Sequence, residues 1–105
     1  MTAGQVIVIL SLLAQVYGVD PAVLDCIAYR ESTYSVTAVN GGHQGVMQWN
    51  PDTRAWLSEK AQADPLWLHG GIGEGPVYNV ALAAWAVKNH YGNHWSTWEM
   101  CGGEG

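Results

Sequence analysis

Helix-start signals followed by apolar residues at helical spacing constrain this fold more than any other feature of the sequence. Asp20 can cap a helix that begins at Pro21, because the missing amide hydrogen of proline costs nothing at the first helical position. The apolar residues that follow form one stripe leading to Glu31: Val23, Leu24, Ile27 and Ala28. We therefore predict a helix packed into a core, with Glu31 at its C-terminal end.

Three further segments predict helices. Residues 6–17 are apolar almost throughout and are followed by Gly18, a residue that commonly ends helices. Residues 51–60 follow an Asn and begin with Pro, and residues 77–91 carry apolar side chains three or four positions apart. A last short turn is expected to contain Trp95, Trp98 and Cys101.

Ser, Thr, Asn and Gly dominate residues 32–50, which therefore predict an irregular or weakly β segment after the Glu31 helix. The glycine-rich residues 70–75 predict a turn. The expected fold class is thus mainly α, with a small irregular or β-like segment, in a single domain that spans residues 1–105.

Length, charge and hydropathy exclude several classes of protein. The chain has 105 residues, of which 49% are hydrophobic and 12% are charged, values typical of one packed domain. Its net charge is −5, and four scattered cations cannot form a nucleic-acid-binding face: Arg30, Arg54, Lys60 and Lys88. The apolar run at residues 6–13 is too short to span a bilayer, and because no Lys or Arg precedes it, no signal peptide is visible.

Two cysteines, Cys26 and Cys101, lie far apart in the sequence, which excludes a CxxC redox or zinc motif. In a secreted protein they would form one disulfide that closes most of the chain. In a cytosolic protein they would be two reduced, buried thiols. The sequence favours the disulfide but leaves both states open.

Five stretches match, in order, the motifs of one known family: Gly18-Val19-Asp20-Pro21, Ile27-Ala28-Tyr29-Arg30-Glu31-Ser32, Ala38-Val39-Asn40, Gly45-Val46-Met47-Gln48 and Pro51-Asp52-Thr53. In these stretches the chain resembles the soluble lytic transglycosylase family, which shares a lysozyme-like fold with goose-type lysozymes. The resemblance covers residues 5–60 in register and residues 79–98 more loosely. Its strongest element is the Glu-Ser pair at the end of an apolar helix, followed by a Gly-Val-Met-Gln version of the family's Gly-Leu-Met-Gln motif.

The resemblance implies that the chain cleaves the β-1,4 bond between N-acetylmuramic acid and N-acetylglucosamine in peptidoglycan, with Glu31 as general acid and base. The chemistry is reasonable, since a glycosidic oxygen is a poor leaving group and needs a carboxylic acid that stays protonated until it donates. An apolar helix face can supply such surroundings. The alternative for Glu31 is an ordinary exposed surface glutamate.

Hydrolysis requires a second carboxylate, and the family's transglycosylases lack one. They use the substrate's own N-acetyl group, after which the muramoyl 6-hydroxyl attacks and leaves a 1,6-anhydro ring. Four residues are conceivable second acids, but none lies in a recognisable motif: Asp52, Glu59, Asp64 and Glu74. A lytic transglycosylase is therefore preferred, with a lysozyme-type hydrolase and a noncatalytic peptidoglycan-binding or assembly module as alternatives.

The resemblance also suggests residues that would contact the substrate. Ser32 would orient the Glu31 carboxylate, or else cap the helix. Met47 and Gln48 would line the sugar cleft, although Met47 is equally compatible with core packing. Trp49 is the first choice for a ring that stacks on a sugar, with burial as the alternative.

The chain departs from the family in one respect: many members carry an Ala-Tyr-Asn-Ala-Gly segment whose tyrosine helps to hold the catalytic glutamate. This sequence has no such segment. Either Tyr78 or Tyr91 is a candidate to replace that tyrosine, and Tyr91 is included among the expected substrate-binding residues.

No cofactor or metal is expected. His90 and His94 stand four residues apart, but Gly92 weakens a helix between them and no third ligand is near in sequence. The glycines of residues 70–75 lack the Lys-Ser or Lys-Thr of a phosphate-binding loop. The expected partner is a peptidoglycan glycan strand, met by a monomer that is secreted, periplasmic, associated with the cell wall or delivered by a phage.

Overall fold

Four α-helices, one short hairpin and one 3-10 turn make up the regular structure of the residues described. A computed structural model describes residues 1–67 and 75–103. In chain order the elements are α1 (Ala3–Tyr17), α2 (Pro21–Ser32), β1 (Val39–Asn40), β2 (His43–Gln44), α3 (Pro51–Gln62), α4 (Pro76–Lys88) and a 3-10 turn (Gly92–His94). The predicted mainly α fold with a small β segment after the second helix is confirmed.

Local capping signals set the starts of α2 and α3, as predicted. The Asp20 side chain accepts a hydrogen bond from the amide of Ala22 at 2.9 Å, and Pro21 occupies the first position of α2. The Asn50 side chain caps α3 in the same way, with Pro51 in the first position. Gly18 ends α1 with a left-handed φ of 69°, a conformation that glycine adopts without strain.

Helix α4 lies at the centre of the core. Every residue from Asn79 to Ala86 is buried, and several of them are alanines, whose small side chains allow neighbouring helices to approach closely. Helices α1 and α3 both pack against α4, and α2 packs against α1. The core is one cluster of closely packed apolar side chains, and α2, which carries Glu31 in its last turn, packs against it.

Helix α4 ends three residues earlier than the periodicity predicts. The last helical residue is Lys88, and His90 adopts a left-handed φ of 69° that turns the chain away. The amide of Tyr91 then donates to the carbonyl of Ala86 at 2.8 Å, which closes the helix end. Tyr91 therefore lies outside the helix, although its spacing matches the apolar stripe.

The segment after α2 folds as a two-strand antiparallel hairpin that pairs Val39 with Gln44 and Asn40 with His43. A single bridge joins Gln44 to Trp49 and folds the Gly-Val-Met-Gln stretch back on the hairpin. The predicted glycine turn at residues 70–75 lies outside the described residues except for its last glycine. Within the described residues, no helix is long and apolar enough to cross a membrane.

Candidate active site

Glu31 lies in the last turn of α2, where its side chain is half-buried. The hydroxyl of Thr97 donates a hydrogen bond to the Oε2 atom of Glu31 at 3.1 Å. The two residues are 66 positions apart in the sequence, so this contact depends on the tertiary fold. One carboxyl oxygen of Glu31 is thus held by the C-terminal part of the chain.

Ser32 ties α2 to the Gly-Val-Met-Gln loop. Its hydroxyl lies 2.7 Å from the carbonyl oxygen of Val46 and 3.2 Å from that of Ala28, and it accepts a bond from the amide of Ser35. These partners are backbone groups rather than the Glu31 carboxylate that the resemblance suggested. Ser32 therefore fixes the position of the loop relative to the helix that carries Glu31.

Asn79, which the sequence analysis did not single out, clamps the same loop from the other side. Its Oδ1 accepts from the amide of Met47 at 2.8 Å, and its Nδ2 donates to the carbonyl of Gln44 at 3.2 Å. A Cβ on Gly45 would lie 2.3 Å from that Nδ2, which explains the glycine in the motif. The one available signal was a polar residue within the apolar stripe of α4.

Trp49 and Met47 are part of the core, with exposed fractions of 2% and 0%. The indole nitrogen of Trp49 donates to the carbonyl of Asn79 at 2.9 Å, and its ring packs on Trp95 at 4.8 Å between centroids. Because the indole N–H finds its partner inside the protein, the ring is drawn inward. The expectation that Trp49 is a sugar-stacking platform does not fit this burial, and Met47 takes the alternative role of core packing.

Gln48 is also largely buried, and its side chain braces the loop. Its Nε2 donates to the carbonyls of Ala38 and Gly45, while its Oε1 accepts from Asn40. Gln48 and Trp49 nevertheless line a small cleft of about 40 Å³. The other residues that line this cleft are His43, Asn50, Thr53, His94 and Trp95.

The C-terminal segment, residues 92–103, closes the site through long-range contacts. The indole nitrogen of Trp95 donates to the carbonyl of Met47 at 2.9 Å, and Thr97 reaches Glu31. A disulfide joins Cys101 to Cys26, with 5.5 Å between their Cα atoms. The predicted disulfide is present, and it binds this segment to α2 five residues before Glu31.

Neither tyrosine that the sequence offered occupies the position beside Glu31. The Tyr78 hydroxyl is hydrogen-bonded to Ser58. The ring of Tyr91 stacks on Trp85 at 5.8 Å and meets Trp56 edge-on at 5.6 Å. Thr97 supplies the hydroxyl that reaches the glutamate, and it lies in the segment that differs from the family's Ala-Tyr-Asn-Ala-Gly pattern.

Three of the four conceivable second carboxylates lie in the described residues. Asp64 is engaged structurally, since its two oxygens accept from the Leu66 amide and from the Trp85 indole. The hydrogen bond from the Leu66 amide, aided by that from Trp85, lowers the pKa of Asp64. Asp52 and Glu59 are exposed on α3, and Glu74 lies outside the described residues.

A family model for the transglycosylase SLT domain matches residues 11–102 of the chain. No curated protein and no solved structure gives a significant match. The matched range contains α2, the loop, α4 and Thr97, and therefore every contact that surrounds Glu31.

Proposed function

The chain belongs to the transglycosylase SLT domain family, and from this premise we propose that it cleaves the glycan strands of peptidoglycan with Glu31 as its catalytic acid and base. The bond cleaved is the β-1,4 bond between N-acetylmuramic acid and N-acetylglucosamine, and the product carries a 1,6-anhydro ring. The observation that carries this proposal is the Thr97 hydrogen bond to Glu31, at the place where α2, the loop and the C-terminal segment meet.

The Thr97 contact supports different roles for the two carboxyl oxygens of Glu31: Oε2 accepts the Thr97 hydrogen bond, and Oε1 carries the acidic proton. An oxygen that already accepts a hydrogen bond is a poor place for the acidic proton, so the proton of the neutral acid resides on Oε1. Oε1 then faces the glycosidic oxygen as the donor. Thr97 is thus a positioning residue, which holds the carboxyl group in one orientation.

The proposed reaction has two steps. Glu31 donates its proton to the glycosidic oxygen as the C1–O bond of the muramoyl unit breaks, and the N-acetyl oxygen of the same sugar bonds to C1. The Glu31 carboxylate then takes the proton of the C6 hydroxyl, whose oxygen attacks C1 and displaces the N-acetyl oxygen. The anhydro ring is closed and the acid is restored, without water as acceptor.

Among the described candidates for a second carboxylate, none has a contact with Glu31, and this supports transglycosylation over hydrolysis. A nucleophilic carboxylate would lie roughly 5 Å from the acid, and a water-activating one roughly 6.5 to 9.5 Å away. Asp64 is occupied by Leu66 and Trp85, and Asp52 and Glu59 extend from the exposed side of α3. Hydrolysis by a lysozyme-type mechanism is the second candidate function.

The substrate of SLT domains is consistent with an extracytoplasmic role, and the Cys26–Cys101 disulfide supports it. Disulfides persist in oxidising compartments and are rare in the reducing cytosol. We propose that the protein acts as a monomer in the periplasm or cell wall, reached by secretion or by phage delivery.

The proposal is tested by incubating purified sacculi with the wild type, Glu31→Gln and Glu59→Gln. Glu59 is an exposed glutamate on α3 and is the matched control. We expect soluble fragments from the wild type and Glu59→Gln, and a loss of at least about a thousandfold for Glu31→Gln at an unchanged melting temperature. Equal release by all three would exclude Glu31 as the acid, and sedimentation with sacculi without any release would indicate a noncatalytic binding module.

A further inference from the structure

Trp56 differs from every other tryptophan of the chain. All six lie in the described residues, and five have exposed fractions of 9% or less, whereas that of Trp56 is 44%. A partly exposed indole presents a large apolar ring together with one N–H donor, a combination common where proteins contact ligands. Trp56 lies on α3 one turn after Thr53, which lines the small cleft beside Gln48. It therefore belongs to the surface that leads away from that cleft.

Neighbouring rings hold Trp56 in place. Tyr91 meets it at 5.6 Å with planes 80° apart, and His94 meets it at 5.8 Å with planes 62° apart. Tyr91 in turn stacks on the buried Trp85, whose indole nitrogen is bonded to Asp64. The rings of Trp56, Tyr91 and His94, here called the aromatic surface, pack against one another and on the buried Trp85. Little freedom of these side chains therefore remains to be lost when a ligand binds.

The aromatic surface lies between two depressions. On one side His94 lines the small cleft with Gln48 and Trp95, and Trp95 is two residues from Thr97. On the other side a depression of about 350 Å³ is lined by Lys60, Ala63, Trp85, Asn89 and Tyr91. The surface therefore continues from the segment that contacts Glu31, across the aromatic rings, into a second concave region.

A cation adds to the recognition surface. The ammonium group of Lys60 lies 4.9 Å from the centre of the Trp56 ring. The chain has only four Lys and Arg residues and a net charge of −5, so a lysine at this aromatic surface is a distinctive local feature. An aromatic face suits the C–H face of a sugar, and an ammonium group suits a carboxylate.

We propose that Trp56, Tyr91 and Lys60 form a binding subsite for a muramoyl unit of the glycan strand outside the pair of sugars joined by the cleaved bond. The sugar ring takes the place of the Lys60 ammonium group against the Trp56 ring, and Lys60 then pairs with a carboxylate of the attached stem peptide. This inference rests on the proposed function, since it takes peptidoglycan as the ligand. It assigns a role to Trp56, which the sequence motifs did not indicate.

The test measures binding in the Glu31→Gln background, so that its outcome does not depend on cleavage. Trp56→Ala, Trp56→Phe and Leu12→Ala are compared for sedimentation with peptide-bearing glycan strands; Leu12 is an exposed apolar residue on α1 and is the control. We expect Trp56→Ala to raise the dissociation constant about fivefold, Trp56→Phe to raise it less, and Leu12→Ala to leave it unchanged. Equal dissociation constants for all three variants would overturn the stacking role.

The role of Lys60 is tested separately with Lys60→Gln and the matched variant Lys88→Gln, which removes an exposed lysine from the last turn of α4. The ligands are peptide-bearing strands and uncharged oligomers of N-acetylglucosamine, because removing the stem peptide from muramic acid would expose a new carboxylate. We expect Lys60→Gln to weaken binding two- to threefold on the peptide-bearing strands alone. The same loss on both ligands, or no loss on either, would contradict the carboxylate contact. If the wild type does not cleave peptidoglycan but binding still depends on Trp56, the proposed reaction is rejected and the subsite is retained.

Discussion

Two regions hold Glu31 in position, and they do so by different means. The first consists of α2 and the loop at residues 44–48, which are fixed by helix capping, by the Ser32 bond to Val46 and by the Asn79 clamp. The second is the C-terminal segment, which has one 3-10 turn and is held by Trp95, Thr97 and the disulfide. The first region places the glutamate at the end of α2; the second places the Thr97 hydroxyl against its Oε2 atom.

Removing the disulfide should release the C-terminal segment from α2, and we expect it to lower stability more than the other substitutions described below. The Cys26→Ala/Cys101→Ala variant frees a chain segment of 75 residues, which corresponds to about 4 kcal/mol of stability in the chain-entropy model. We expect a melting temperature lower by roughly 15 to 30 °C, measured by circular dichroism. At a temperature where the variant is still folded, peptidoglycan cleavage should also fall, because Thr97 is no longer held. An unchanged melting temperature would show that the segment is anchored by its other contacts alone.

Removing the Asn79 side chain should damage the first region by a smaller amount. Asn79→Ala leaves the buried amide of Met47 without its partner, at a cost of about 2 kcal/mol, and removes one of the two hydrogen bonds to the carbonyl of Gln44, which still accepts from the Trp49 amide. Urea unfolding measures this loss. Asn89→Ala is the matched control, since it removes only a bond to the carbonyl of Trp85 near the end of α4, and should cost less than half as much. Equal losses would mean that the clamp is no stronger than an ordinary helix-end contact.

Removing the Thr97 hydroxyl tests the contact between the C-terminal segment and Glu31 without disturbing the fold. Thr97→Val keeps the shape of the side chain and removes the donor to Glu31, and we expect kcat to fall about tenfold with little change in KM or melting temperature. Thr97→Ser retains the hydroxyl and should recover most of the activity. A Thr97→Val variant with the wild-type kcat and the wild-type pH profile would show that the hydrogen bond has no positioning role.

Asp64 belongs to neither region and should give the smallest effect. Its pKa is lowered in the folded state, so the charged form stabilises the fold above the unfolded value of 3.8, and this contribution is lost as the pH falls through the folded pKa. The effect is small because the group is screened by solvent. Asp64→Asn should lower the melting temperature slightly near pH 7, and the difference should shrink as the pH falls below 3.8. A difference that grows toward low pH would contradict the assigned sign.

The sequence predicts the helix that carries Glu31, and the start of α3, because their signals are local. Asp20 with Pro21, and Asn50 with Pro51, start helices within one turn of themselves, and Gly18 ends one. The apolar stripe before Glu31 then follows from helical spacing alone. These signals place the glutamate at the end of a buried helix without any knowledge of the tertiary fold.

Other contacts, in both regions, depend on partners that local patterns do not encode. Thr97 meets Glu31 across 66 positions, and Asn79 meets Met47 across 32. Trp49 lies in a polar stretch and was expected at the surface, yet its indole nitrogen finds the carbonyl of Asn79 inside. Tyr91 fits the stripe of α4, yet the chain turns at His90 before reaching it. Each of these outcomes was decided by a distant partner.

The most direct test of the central claim is the chemistry of the released ends. Sacculi are digested in water enriched in heavy oxygen, and the soluble muropeptides are analysed by mass spectrometry. The account predicts 1,6-anhydromuramoyl ends without heavy oxygen, because the acceptor is the C6 hydroxyl of the substrate. Reducing ends that carry one heavy oxygen atom would show that water is the acceptor, and would make the protein a lysozyme-type hydrolase.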